Sequence, residues 1–139
     1  ISYAVAKVYN EEIDQRNIVQ ASFKAMHIAL NRLKIKPEFL LIDGNRFKAH
    51  KDFPHKCIIK GDGIYTSIAA ASVLANTYRD DYMQTLHKKH EVYSWHNNKG
   101  YGTREHRSAI EQHGLCKYHR KSFNIQSARV SLTDLEEMN

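Results

Sequence analysis

Two cysteines, two prolines and a single tryptophan stand among the 139 residues of this chain. Cys57 and Cys116 lie far apart, and neither has a second cysteine beside it. That spacing excludes a disulfide framework and a cysteine-based zinc site, and it suits a reducing cytoplasm. No apolar run reaches the roughly 18 residues of a membrane span, so no membrane partner is expected. No secretory pattern opens the chain. Internal repeats and low-complexity tracts are missing too, which leaves one modest domain as the expectation. The chain opens on Ile1, inside a strand-like alternation, and reads as a piece of a longer protein.

What is present is positive charge. Lysine and arginine number 21 against 15 acidic residues, a net charge of +6 and a pI of about 9.3. Such an excess favours polyanions, either nucleic acid or a membrane surface. A solvated basic surface with no partner is the plainer alternative. Hydrophobic residues at 42% and charged residues at 26% are those of a globular protein.

Strand and helix patterns alternate along the chain, which makes the class α/β. ISYAVAKVY suits a strand, with Tyr3, Val5 and Tyr9 on one face. Ile18, Ala21, Ala25, Ile28 and Leu33 recur at helical spacing, so NEEIDQRNIVQASFKAMHIALNRLK reads as one amphipathic helix stopped by Pro37. FLLID is a short apolar run suited to a buried parallel strand, and CIIK is a second. KGDG breaks that strand and leads into a helix from about Ser67 to His90. Its small residues Ala69, Ala70, Ala71, Ser72 and Ala75 allow close approach to a sheet. WHNNKGYG reads as a loop; Thr103 caps a helix through His113, with Gly114 just past its end. The domain spans residues 1–123, and a tail of 124–139 holds a possible short helix in SLTDLEE.

Asp43 falls at the carboxyl end of the FLLID strand, the edge where ligands collect in open α/β sheets. Asp80 and Asp81 sit well along the following helix. An aspartate at a strand end and one on an adjacent helix can converge on a hard divalent cation, which prefers oxygen ligands. Two plainer readings compete: Asp43 capping a turn, and Asp80 pairing with Arg79 or a lysine. Asp80 and Asp81 point about 100° apart on a helix. Periodicity does not choose between them.

LLIDGN, KGDGIYTSIAAASVLANTYRDDYM, NKGYGTREHRSAIEQHG and HRKSF, in this order, closely resemble bacterial ribonuclease HII, the type 2 ribonuclease H family. EEIDQRNIVQASFKAM resembles the helix that precedes them, and the likeness runs to about Phe123. It implies a ribonuclease H-like fold, a central mixed sheet flanked by helices. It implies an endonuclease that cleaves the RNA strand of RNA–DNA hybrids and cuts 5′ of ribonucleotides embedded in duplex DNA, as a cytoplasmic monomer. It further implies Mn2+ or Mg2+ held by four acidic residues, of which Asp43 and Asp80 are two. The family's other two ligands stand in a D-E-A-G-R-G segment on its first strand, and no such segment occurs here. The expectation is therefore a domain without its N-terminal strands, and the alternative function is a piece that binds hybrid nucleic acid without cutting it. Asn76 stands where the family usually has lysine.

The same resemblance assigns Tyr101 to the sugar at the RNA–DNA junction. Lys60 and Lys99 flank glycines, where a backbone can approach a phosphate closely. Asn45, Arg46, Ser72, His119 and Arg120 complete the expected substrate contacts. His87 and His90, three apart on a helix, lack the further ligands of a zinc site. His106 and His113 are expected on a helix surface or beside the substrate.

Overall fold

The computed structural model describes residues 1–123. The tail, with its expected short helix, lies outside the described residues. The order is α1 (Asn10–Arg16), α2 (Ile18–Arg32), β1 (Leu40–Asp43), β2 (His55–Ile58), α3 (Thr66–Lys89), α4 (Trp95–Asn98) and α5 (Arg104–His113). Two 3-10 turns, Gly61–Gly63 and Glu91–Tyr93, precede α3 and α4.

The two apolar runs pair as parallel strands, with Leu40 opposite His55 and Asp43 opposite Ile58. β2 begins two residues earlier than CIIK suggests and ends at Ile58. The register sets Asp43 level with the end of β2, beside the turn that opens α3. Gly61 makes that turn possible. A Cβ there would stand 2.6 Å from Ile68 Cδ1 and 3.4 Å from Ile58 Cβ, so helix and strand close over a bare backbone.

Three expectations change. Residues 1–9 form no strand; with no neighbouring strand to hydrogen-bond, an alternating pattern does not become a ladder. The long first helix is two helices, broken at Asn17, whose φ of 76° no helix accommodates. The Asn17 side chain caps the second by accepting from the Gln20 N–H at 3.1 Å. The second helix then ends at Arg32, well before Pro37. On α3, Ala70, Ala71 and Ala75 are exposed and Val73 is 64% exposed, so the small-residue face is uncovered among the described residues.

The core lies elsewhere. Leu86, Tyr93, Trp95 and Ala109 pack together, with Tyr82, Met83, Ile110, Cys116 and Tyr118 against them. It joins the second half of α3 to α5, and the Tyr93 hydroxyl seals it by donating to the Gly114 carbonyl at 2.8 Å. The α5 caps are those expected: Thr103 accepts from His106 N–H, and Gly114 closes the helix at φ 76°.

Candidate active site

Asp43 is exposed at the end of β1, and its Oδ1 accepts the Gly61 N–H at 2.9 Å. Asp80 lies fourteen residues past Thr66 in α3, about 21 Å along the helix axis. Arg79 folds back on it: Nε and Nη2 both donate to Asp80 Oδ1, at 3.1 and 2.9 Å. Both plainer readings of these aspartates are thus realised, one as a turn cap and one as an ion pair. Each engages only Oδ1. The second oxygen of each carboxylate has no hydrogen-bond partner among the described residues.

Those two free oxygens are hard donors of the kind Mn2+ and Mg2+ accept. The set is small: among the described residues, no group of three or more histidine, cysteine or acidic side chains could hold a metal ion. No hydrogen bond or ion pair joins Asp43 to Asp80. The residues present therefore fit part of a hard-cation site, in kind of donor though not in number.

Arg79 also reaches Tyr101. Its guanidinium carbon lies 5.8 Å from the Tyr101 ring centroid, and its Nη1 donates to the Tyr101 hydroxyl at 3.4 Å. Asp80, Arg79 and Tyr101 form one connected strip across α3 and the loop after α4. Tyr101 itself is 62% exposed, its ring free to meet a ligand. No pattern in the sequence identified Arg79 as the bridge; its adjacency to Asp80 was the one available signal.

The loop carrying Tyr101 is tied down from several sides. Asn98 is buried; its Nδ2 donates to the Tyr93 carbonyl at 2.7 Å and its Oδ1 accepts the Gly100 N–H at 2.9 Å. Lys99 takes a left-handed conformation, φ 52°. Arg120 Nη2 donates to the Gly100 carbonyl at 3.2 Å. Burial lowers the Arg120 pKa, with Asp14 and Tyr101 opposing. Lys60 is left-handed as well, φ 53°, immediately before the Gly61 that Asp43 binds.

The other expected contacts divide. Asn45 and Arg46 are exposed just past Asp43, and Ser72 is half-buried on α3. His119 turns inward, 6% exposed, with Nδ1 accepting the Cys116 N–H and Nε2 against His106 Nε2. His119 is thus closed to the surface, while Arg120 is half-buried. His106, expected on a helix surface or beside the substrate, is instead buried, 5% exposed. Its apolar neighbours Tyr93 and Trp95 draw it into the core. His113 is exposed as expected.

Residues 1–126 match the family model described as Ribonuclease HII. The chain belongs to the ribonuclease HII family. Ribonuclease HII of Phocaeicola vulgatus is 58% identical over 125 residues, which is 90% of this chain and 62% of that protein. The Parabacteroides distasonis ribonuclease HII is 54% identical over 132 residues, 95% of this chain and 66% of the relative. Among solved structures, the ribonuclease H2 of Pyrococcus horikoshii OT3 aligns with a TM-score of 0.67 over 85% of this chain and 63% of that one. At 20% identity that likeness shows the fold, which is ribonuclease H-like. The chain spans less than two thirds of the length of these ribonuclease HII relatives. No helix among its described residues is long and apolar enough to cross a membrane.

Proposed function

We propose that the protein carrying this chain is a metal-dependent endoribonuclease. Its substrates are RNA–DNA hybrids and duplex DNA containing embedded ribonucleotides, cut on the 5′ side of the ribonucleotide. The observation that carries the reading is the family match across residues 1–126, a range that includes Asp43, Asp80 and Tyr101. Supporting it is the strip that links a carboxylate, through Arg79, to an exposed tyrosine. A cytoplasmic monomer is part of the same proposal.

Asp43 and Asp80 would each offer one free oxygen to Mn2+ or Mg2+. When bound, such ions activate a water and stabilise the leaving oxygen in phosphodiester hydrolysis. Gly61 holds Asp43 by a backbone N–H, which fixes one oxygen and leaves the other unbonded. Arg79 does the same for Asp80. Tyr101 offers its ring to the sugar at the junction, where shape distinguishes ribose from deoxyribose. Lys60, Lys99, Asn45, Arg46, Ser72 and Arg120 would line the path of the backbone phosphates.

A second reading is that these 139 residues by themselves bind hybrid duplex without cutting it; in its favour, no group of three or more metal-capable side chains occurs among the described residues. Incubating a duplex that contains one ribonucleotide with Mn2+ separates the two. Cleavage abolished by Asp43→Asn or Asp80→Asn supports the enzyme reading. Salt-dependent binding with no product supports the binding reading. Weak, salt-insensitive association contradicts both.

A further inference from the structure

Two buried histidines lie under the Tyr101 loop, and nothing in the proposed chemistry uses them. Their hydrogen bonds fix where each proton sits. The Cys116 N–H donates to His119 Nδ1 at 3.0 Å, so the His119 proton is on Nε2. That nitrogen faces His106 Nε2 at 3.2 Å, which must then accept. His106 Nε2 also receives the Trp95 indole N–H, at a longer 3.4 Å. The His106 proton is therefore on Nδ1, which meets the Tyr101 carbonyl at 2.9 Å. One directed chain of donors runs from the Cys116 backbone through two rings to the backbone of Tyr101.

We infer that the His119–His106 pair is a positioning device for Tyr101, holding its backbone so that the ring stands over the junction sugar. The inference rests on the proposed role of Tyr101. The geometry favours a dedicated purpose. Both rings are buried, 5% and 6% exposed, among Tyr93 and Trp95. The preceding Lys99 is left-handed and Gly100 is at φ 82°, so the loop needs an anchor beyond its own preferences. A Tyr101 held at its carbonyl does not depend on its contact with Arg79 alone. Neither histidine touches substrate in this scheme.

The two amide substitutions of His106 part its two functions. His106→Gln places an acceptor near Nε2 and loses the donor to Tyr101. His106→Asn keeps a donor near Nδ1 and loses the acceptor. Binding to a duplex with one ribonucleotide, relative to the all-DNA duplex, is the readout, with urea melts alongside. His106→Gln is expected to lower that preference about tenfold, in the range of losing one aromatic contact. Tyr101→Ala should do the same, the double variant should add little, and His106→Asn should recover part of it. Ring 15N spectra should show His106 protonated on Nδ1 and His119 on Nε2.

An Nε2-protonated His106 overturns the inference. So does an unchanged preference in His106→Gln when Tyr101→Ala loses it. Equal losses in the Gln and Asn variants that track melting would reduce the pair to packing and also overturn it. If Tyr101→Ala itself changes nothing, the reading of Tyr101 as a junction contact fails. The Tyr101 carbonyl 13C shift in His106→Gln then decides the positioning claim: a moved signal upholds it, an unmoved one ends it.

Discussion

Lys99 shows how one residue can serve two demands that pull apart. Its left-handed backbone, φ 52°, costs a non-glycine residue about 1 to 2 kcal/mol. Lys99→Gly should therefore raise stability by about 0.5 to 1 kcal/mol. It should also weaken duplex binding and reduce the salt slope by about one. Urea melts and affinity measured at several salt concentrations check both halves; unchanged binding would make Lys99 a plain surface charge. His119 carries a pH signature. Burial first, then the nearby His106 and His90, lower its pKa from 6.5 to about 4; Cys116 and Tyr93 also face it. Between those values the unfolded chain binds the extra proton and the folded chain does not. Stability is complete above pH 6.5 and falls on acidification towards pH 4, by on the order of 1 to 3 kcal/mol. Urea midpoints at pH 7 and 4.5 should separate wild type from His119→Gln, which lacks this titration. Parallel acid sensitivity in the two would contradict the assignment. At this scale the sequence was only partly legible. Asp43 and Asp80 could be found from a strand end and a short motif. The inward turn of His106 and His119 could not, because a histidine on a polar helix, or one beside Arg120 and Lys121, reads as surface until Trp95 and Tyr93 are known to lie against it.

Elements were legible where their signals are local. Thr103 and Gly114 bracket α5 as caps do, and the FLLID and CIIK runs mark two strands that pair in parallel, the second displaced by two residues. The first helix failed because hydrophobic spacing continued across Asn17, while its backbone did not. Asn17→Ala should lose both the cap and the tolerance for positive φ, and so cost about 1 to 2 kcal/mol; Asn17→Gly should cost only a few tenths. Equal losses in a urea melt would mean the break is not held by this residue. Gly61 joins β2 to α3. Gly61→Ala would press on Ile68 Cδ1 and is expected to destabilise by about 1 to 3 kcal/mol. Removing that methyl with Ile68→Val should recover part of the loss. A double-mutant cycle with no coupling would refute the close approach.

The whole molecule rests on a core built by aromatic and histidine rings rather than by its sheet. Seven hydrophobic residues are buried among those described, and the two strands leave the Ala70, Ala71 and Ala75 face of α3 open. A two-stranded sheet is marginal in water, so this chain should unfold at low urea, with residues around Leu86, Tyr93 and Trp95 the last to exchange their amides. A midpoint typical of a stable domain of this size would contradict it. Fold family was legible because ordered motifs identify it, whereas which faces are covered depends on partners in space that no local pattern encodes. The net charge of +6 fits a polyanion ligand. The role given to the two aspartates depends on their free oxygens taking up a divalent cation. Paramagnetic broadening by Mn2+ tests that directly. The account predicts loss of amide signals centred on Asp43, Gly61 and Asp80, restored in the Asp43→Asn and Asp80→Asn variants. Broadening centred elsewhere, or unchanged by both substitutions, would contradict it.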